Sequence, residues 1–532
     1  MIIDAENLSA GTLLKTRLCI VGAGPAGIAL ADSLKASGMD MILVESGGMP
    51  YDREENIAKA MKDHICGTQG LARGKNVGEP YFMLRFSRAR GIGGSSNAFK
   101  GHGLRCRPLD AVDLEQRLGP EWPIGYGEIA NYLSDAAGYC GVGQDGPGDP
   151  WEAQPAGEIG SGLETVPFRY GPKDCFARFA EILRGQETMR CITRATALEL
   201  QVGEGDESGC ARRLRVKSFD GAPFSIEADA FVICAGGIDN PRLLLNSPGV
   251  LERMGGAARQ VGRYFMEHPH YTAGHLVPAS PDARDRLSAL FKKRGGAHPM
   301  LSFNTEIIRQ KQWPRVVFDP TPVFPASLSE GVRAVGSVRR SFPFGPYNLK
   351  VQLQQMGKVC RHLPDVIGHV GSRLLKRGEM SAFALPAMAE QTPLWESRVY
   401  LSGKKDKLGM PLPVLDWRIA DKDFQMTAEM LALMDERLKA TGLGRIVSAL
   451  DAERGRPVIV PGGWHHMGTT RMSADADSGV VDPDSRVHGF RNLYVAGSSV
   501  FPSGGYANPT LTLVALSLRV GQHLKRSGFT GA

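Results

Sequence analysis

Residues 18–46 constrain the fold of this chain more than any other stretch. Leu18 to Val21 is an apolar run of strand length, followed at once by Gly22-Ala23-Gly24-Pro25-Ala26-Gly27. An Ala- and Leu-rich helical stretch comes next, then Gly38, then a second apolar run, Met41 to Val44, closed by Glu45 and Ser46. Strand, glycine turn, helix and strand make a βαβ unit. Gly22 permits the tight turn, Gly24 lets backbone approach a pyrophosphate, and Gly27 allows close packing of helix on strand. Glu45, about twenty residues on, is placed to accept hydrogen bonds from ribose hydroxyls. A bare glycine motif carries little weight, but this one has its flanking elements, and the unit predicts dinucleotide binding.

Other glycine turns suggest how large that ligand is. Arg90-Gly91-Ile92-Gly93-Gly94-Ser95-Ser96-Asn97 is a second glycine loop, where small residues let a flat ring or phosphate lie on backbone. An apolar run ends in Cys234-Ala235-Gly236-Gly237, with a helical segment expected from Asn240-Pro241-Arg242, and Leu493 to Gly497 has the same strand-to-glycine form. Such units spread over the whole chain point to one large cofactor held by a domain assembled from separate segments. No second fingerprint for a nucleotide such as NAD is present. A chain of 532 residues exceeds one ordinary core, so two or more domains are expected.

The last seventy residues bring ionisable groups to this frame. Trp464-His465-His466-Met467-Gly468-Thr469-Thr470 precedes a glycine turn, and Asn508-Pro509-Thr510 opens an apolar helix. Asn508 suits an N-cap and Pro509 the first turn, and the backbone N–H groups there offer a site for negative charge. Adjacent histidines on extended backbone face opposite ways, so only one reaches a given ligand. They chelate one metal ion poorly and no third ligand is evident, so no metal is expected.

In these motifs the chain resembles the glucose–methanol–choline (GMC) family of FAD-dependent oxidoreductases. The matching segments are GAGPAG with Glu45, GIGGSSNAF at 91–99, EWPIGY at 121–126 and VGRYFMEHP at 261–269. ESRVYLS at 396–402, HHMGTTRM at 465–472 and NLYVAGSSVFPSGGYANPTLT at 492–512 complete the series. The resemblance implies an α/β fold: a discontinuous Rossmann-like FAD-binding domain (1–110, 189–272 and 460–532) with a second α+β substrate domain built on an antiparallel sheet (111–188 and 273–459). It also implies flavin contacts from Gly22, Gly24, Pro25, Ala26, Gly27, Glu45, Ser46, Arg90, Gly93, Gly94, Ser95, Ser96, Asn97, Ala235, Gly236, Gly497, Ser498, Pro509 and Thr510. His465, three residues before Gly468, matches the family's base, which removes the hydroxyl proton while hydride passes to flavin N5. Asn508 takes the partner position. Some relatives attach FAD through a histidine in the second glycine loop; residues 94–97 have none, so non-covalent FAD is expected. His466, His268 and His270 are read as structural.

The motifs resemble most the sugar-oxidising branch, so the expected substrate is a sugar, glycoside or polyol hydroxyl. A bulky lipophilic alcohol such as a sterol or terpenoid is the alternative, and a non-redox lyase of the same family a further one. Motifs do not identify the electron acceptor, whether oxygen, a quinone or a redox protein, nor the oligomeric state. Nine scattered cysteines without a C-x-x-C, and a first apolar run too short for a span or leader, point to the cytoplasm. Of the net charge of +7, an excess of Lys and Arg falls in 281–380. Such a region suits an acidic substrate, a phosphate-bearing surface or an acidic partner, and equally a solvated basic face; no nucleic-acid partner is expected. Within it Leu349, Leu353, Met356, Val359 and Leu363, then Val366, Val370 and Leu374, recur at helical spacing around Pro364. A core-facing amphipathic pair is favoured there over a membrane-surface or lid pair.

Overall fold

A computed structural model of the chain describes residues 1–49, 67–99, 104–142, 151–155, 159–172, 181–183, 189–205, 209–293, 296–324, 380–450, 455–457, 460 and 462–528, with a few positions between 356 and 364. Two large sheets organise them. The first is mixed. Its strands lie in the order Ile2–Asp4, Met189–Thr193, Met41–Val44, Leu13–Val21, Pro223–Ile233, Ala211–Ser218 and Ala195–Val202, with Leu493–Val495 also pairing Pro223–Ile233. The long strand Pro223–Ile233 divides its outer edge: its first half pairs antiparallel with Ala211–Ser218, its second half parallel with Leu493–Val495.

Four parallel strands therefore end level with one another. Val21 is in register with Val44 and with Ile233, and Ile233 with Val495. Their interiors are apolar and buried, Leu18, Ile20, Leu43 and Val232 all to completion, as expected for parallel strands covered on both faces. The helix Pro25–Ser33 packs against the final helix, Thr510–Arg526. Helices Tyr126–Ala130 and Leu133–Cys140, expected with the substrate domain, lie against the final helix and place Ile129, Ala136 and Cys140 in the same core as the first sheet.

The second sheet has nine strands, and all its pairings are antiparallel. Its centre is His270–Pro278, Ala382–Ala389, Val316–Phe318, Ala297–Phe303 and Leu163–Tyr170. Under it the helix Asp421–Ala440 buries Phe424, Met430, Leu431, Met434 and Leu438, a stripe at helical spacing. This two-sheet α/β architecture agrees with the expected fold class. Most of the basic amphipathic pair lies outside the described residues; of its described positions, Met356 and Leu363 are 54% and 49% exposed. Among the described residues no helix is long and apolar enough to cross a membrane.

Two helix starts differ from the sequence reading. The helix expected from Asn240 runs Gly236–Leu245, with Pro241 inside it. Pro241 has no N–H to offer the Gly237 carbonyl one turn back. That carbonyl accepts instead from the Thr469 hydroxyl, at 2.7 Å, so the imperfection in the helix becomes an attachment point for the histidine segment. The final helix begins at Thr510 with Pro509, not Asn508, in the cap position and no side-chain cap bond. Asn508 is used elsewhere.

Candidate active site

The level strand ends carry the glycine turns predicted from the sequence. Gly22 has φ +113°, and a Cβ on it would lie 2.5 Å from the Cys234 carbonyl oxygen of the neighbouring strand. A Cβ on Gly27 would lie 2.0 Å from the Gly22 oxygen. No side chain fits either place. By contrast, a Cβ on Gly24, Gly236 or Gly497 would meet nothing within 4 Å, so backbone faces open space along this edge. The second glycine loop closes over the first: the Gly93 N–H donates to the Ala23 carbonyl at 2.7 Å, and a Cβ on Gly94 would sit 3.0 Å from the Gly24 Cα. Two helices, Pro25–Ser33 and Thr510–Arg526, start here without side-chain caps, leaving N–H groups free for an anionic ligand. Open backbone, uncapped helix starts and close strand packing are what an extended dinucleotide needs. The residues present fit FAD.

Several predicted contacts have partners of their own. Glu45, 6% exposed, accepts backbone N–H groups from Ala23 (2.9 Å), Gly47 (2.8 Å) and Gly91 (3.0 Å), and Ser46 donates to the same carboxylate at 3.2 Å. It thus ties both glycine loops together. Ser96 donates to the Gly93 carbonyl at 2.6 Å, and the Asn97 amide to the Ile92 carbonyl at 2.8 Å. Both donors serve the loop itself. The Asn97 Oδ1 remains buried without a hydrogen-bond partner. Ser95 Oγ accepts from the Ala89 N–H, and Ser498 Oγ donates to the His466 carbonyl at 2.8 Å. Ala235 N–H is bound by the Asn240 side chain. Arg90 pairs with Asp239 at 3.4 Å, beside Arg88 and Arg242. Burial alone would raise Asp239, but these three guanidiniums hold its carboxyl well below the usual range.

Beside this edge the histidine segment runs antiparallel to residues 266–269, bridged at Met266 to Met467 and at Pro269 to Gly462. The adjacent histidines do face different environments. The Nε2 of His466, with its ring 8% exposed as a residue, meets the Tyr81 hydroxyl at 2.9 Å. His465 lies between two partners: its Nε2 meets the Asn508 Nδ2 at 3.0 Å, and its Nδ1 meets the Nδ1 of His268 at 2.8 Å. The Asn508 Oδ1 accepts from Arg105 Nε at 3.3 Å. So the two residues proposed for chemistry touch, and His268, read from sequence as structural, touches the first of them. His270 packs edge-on to His465, with ring centroids 5.9 Å apart.

A buried carboxylate organises this corner. Glu267 Oε1 accepts the backbone N–H groups of His465 (2.7 Å) and His268 (2.8 Å), and Oε2 accepts the Tyr81 hydroxyl. Burial pushes the Glu267 carboxyl up to about 7 despite those donors. Burial also lowers the imidazoles: His268 to about 4, His466 to about 3, and His465, with His268, His270 and Arg105 nearby, well below 6.5. All three rings are neutral at pH 7, with lone pairs available. On the far side Tyr506 accepts from Arg107 (3.1 Å) and Arg315 (2.6 Å), and Glu390 accepts the Gly505 N–H at 3.3 Å, which locks the loop before Asn508 to the antiparallel sheet. Sequence reasoning missed Tyr81, Glu267, Arg105 and Glu390; the run of ionisable groups in Glu267-His268-Pro269-His270 was the available signal for part of this set.

Residues 393–517 match the GMC oxidoreductase family. Over 94% of this chain and 89% of its own length, the paromamine 6′-oxidase of Streptomyces fradiae is 24% identical. The C-glycoside 3-oxidase of Microbacterium trichothecenolyticum is 37% identical, over 22% of each chain. The crystal structure of pyridoxine 4-oxidase from Mesorbium loti superposes with a TM-score of 0.56 at 19% identity, covering 96% of this chain and 99% of that one. A likeness that reaches a pyridoxine oxidase does not single out a sugar branch. It is at the level of the superfamily that motifs, fold and relatives coincide: along nearly its whole length the chain is similar to FAD-dependent oxidoreductases of the GMC superfamily.

Proposed function

We propose that this chain oxidises a secondary or primary alcohol of a sugar, glycoside or polyol, with His465 as base, Asn508 as its partner and FAD held without a covalent link. The observation that carries the reading is the 3.0 Å contact between His465 Nε2 and Asn508 Nδ2. A substrate hydroxyl that enters between them finds a donor for its oxygen, the Asn508 amide, and an acceptor for its proton, His465 Nε2. Neutral imidazole needs no prior deprotonation, and burial keeps it neutral well below pH 6.5. Bound FAD supplies the hydride acceptor. The uncapped start of the final helix, at Pro509 and Thr510, favours negative charge beside it. Non-covalent attachment is supported by the absence of histidine among residues 94–97.

The sugar or glycoside class is supported by the relative named as a C-glycoside 3-oxidase. Arg105 and Asp319, 4.0 Å apart near Asn508, add polar groups on the substrate side. The test is anaerobic mixing of the holoprotein with a panel of sugars, glycosides, polyols and lipophilic alcohols while flavin absorbance is followed. Bleaching by a sugar or glycoside is expected. A flavin bleached only by sterol-like alcohols refutes the substrate class, and one bleached by nothing in a broad panel refutes the reaction. Opening the bleached samples to air then reads whether oxygen serves as acceptor. Acid precipitation should release the yellow chromophore; colour retained on the protein refutes non-covalent attachment.

A further inference from the structure

We propose that His268 is a positioning residue that fixes the tautomer of His465, presenting its Nε2 lone pair to the substrate hydroxyl. The inference deepens the reading of His465 as base and rests on it. A chain of hydrogen bonds links His268, His465 and Asn508, and the donor and acceptor at each of its ends are chemically unambiguous.

At one end, His268 Nε2 faces only carbonyl oxygens, Gly505 at 2.9 Å and Gly504 at 3.3 Å. Carbonyls only accept, so Nε2 carries the proton, and in the neutral ring Nδ1 is then the bare nitrogen. The 2.8 Å contact between the two Nδ1 atoms requires one proton, which therefore belongs to His465. His465, protonated at Nδ1, is bare at Nε2. At the other end, Arg105 is an obligate donor, so the Asn508 oxygen faces it and the Asn508 NH₂ group faces His465 Nε2. An NH₂ group needs an acceptor, and a bare Nε2 is one. The two ends thus agree independently on where every proton lies.

The scaffold holds this direction in place. Glu267 binds the backbone N–H of both histidines at once, which sets the two rings at hydrogen-bond distance. Glu390 binds the Gly505 N–H, which steadies the peptide that receives the His268 proton. Without the acceptor at position 268, the neutral His465 ring is free to carry its proton on Nε2, where it opposes the hydroxyl it should deprotonate. His268 touches no reacting atom; it acts through His465.

Two near-isosteric amides test this. Asparagine at 268 puts an amide oxygen near the position of Nδ1, keeping the acceptor for His465. Glutamine reaches toward the Gly505 carbonyl and leaves the His465 Nδ1–H unmatched. In FAD-loaded protein labelled with ¹⁵N-histidine, the wild type is expected to show His465 protonated at Nδ1 and bare at Nε2. His268→Gln should lose that tautomer and slow anaerobic flavin reduction roughly 10²-fold at unchanged substrate affinity. His268→Asn should restore the tautomer and recover most of the lost rate. A role in packing alone predicts similar losses in both variants and no change of tautomer, and that result overturns the proposal. Protonation of wild-type His465 at Nε2 overturns it whatever the rates. If the Nδ1–H tautomer is found but His465→Ala still reduces flavin normally, it is the reading of His465 as base that fails.

Discussion

The glycine-rich strand edge and the histidine corner adjoin one another, but they are made of different materials. The edge is backbone: glycine turns, bare carbonyls and uncapped helix starts, with side chains such as Ser96 and Asn97 turned inward to hold the loops themselves. The corner is side chain: imidazoles, an amide and a carboxylate, buried and matched donor to acceptor. Where backbone packs on backbone, at Gly22 and Gly27, the edge tolerates no added atoms, because the partners cannot move aside. A side-chain site tolerates changes of shape better than changes of hydrogen-bonding character, since each group depends on the direction of its neighbour's proton.

The largest effect expected from this contrast is on the edge. Gly27→Val places carbon where the Gly22 carbonyl already lies, and the purified protein should carry less than about a tenth of the wild-type flavin. Normal flavin content in that variant breaks the account of the edge. His465→Ala should do the reverse: flavin content stays, while anaerobic reduction by a substrate slows by roughly 10²–10⁴-fold. Coupled loss of flavin and rate in both variants would dissolve the distinction between the two regions.

A smaller effect tests the carboxylate beneath the corner. Glu267→Leu removes the one oxygen that accepts two backbone N–H groups, and a loss of about 1–3 kcal/mol is expected in urea unfolding at low pH. Because burial raises this carboxyl to about 7 from the ordinary glutamate value of 4.5, the folded wild type binds the extra proton between those values. Its contribution to stability therefore falls as pH rises from about 4.5 to 7, so the deficit of the variant should narrow across that window. A deficit that widens instead would show the carboxylate to be the favoured form in the fold. The smallest change is expected from Ser96→Ala, which removes one internal hydrogen bond to Gly93. About 1 kcal/mol of stability should be lost with flavin content unaltered; marked loss of flavin would mean that the hydroxyl reaches the cofactor after all.

The same contrast explains what could be read in advance. The edge was legible because its requirements are local: Gly22, Gly24 and Gly27 follow one strand within six residues, and strand, turn and helix are adjacent in sequence. The corner was legible only where a motif carried it, at His465 and Asn508. His268 and His465 are 197 residues apart, and Arg105 and Asn508 are 403 apart; no periodicity records such pairings. Asn508 was misplaced as a helix cap for a related reason. The cap rule sees that asparagine precedes Pro509 and a helix, but it cannot see Arg105 taking the amide oxygen that a cap would use. At Pro241 the expectation of a helix start failed because proline inside a helix is unfavourable only while the freed carbonyl lacks a partner, and Thr469 supplies one.

The shared outer edge of Pro223–Ile233 also bears on how the chain is made. Its last three residues stay uncovered until Leu493–Val495 arrives, and that segment leaves the ribosome only after the whole antiparallel sheet has been synthesised. A growing chain can therefore fold the first glycine turn early, yet it cannot complete a flavin site until nearly all of it has been translated. During that interval a buried-type apolar edge is open to wrong pairing. Cofactor loading should accordingly be a late event, and protein released before residue 493 should be prone to aggregate rather than to accumulate as a partial flavoprotein.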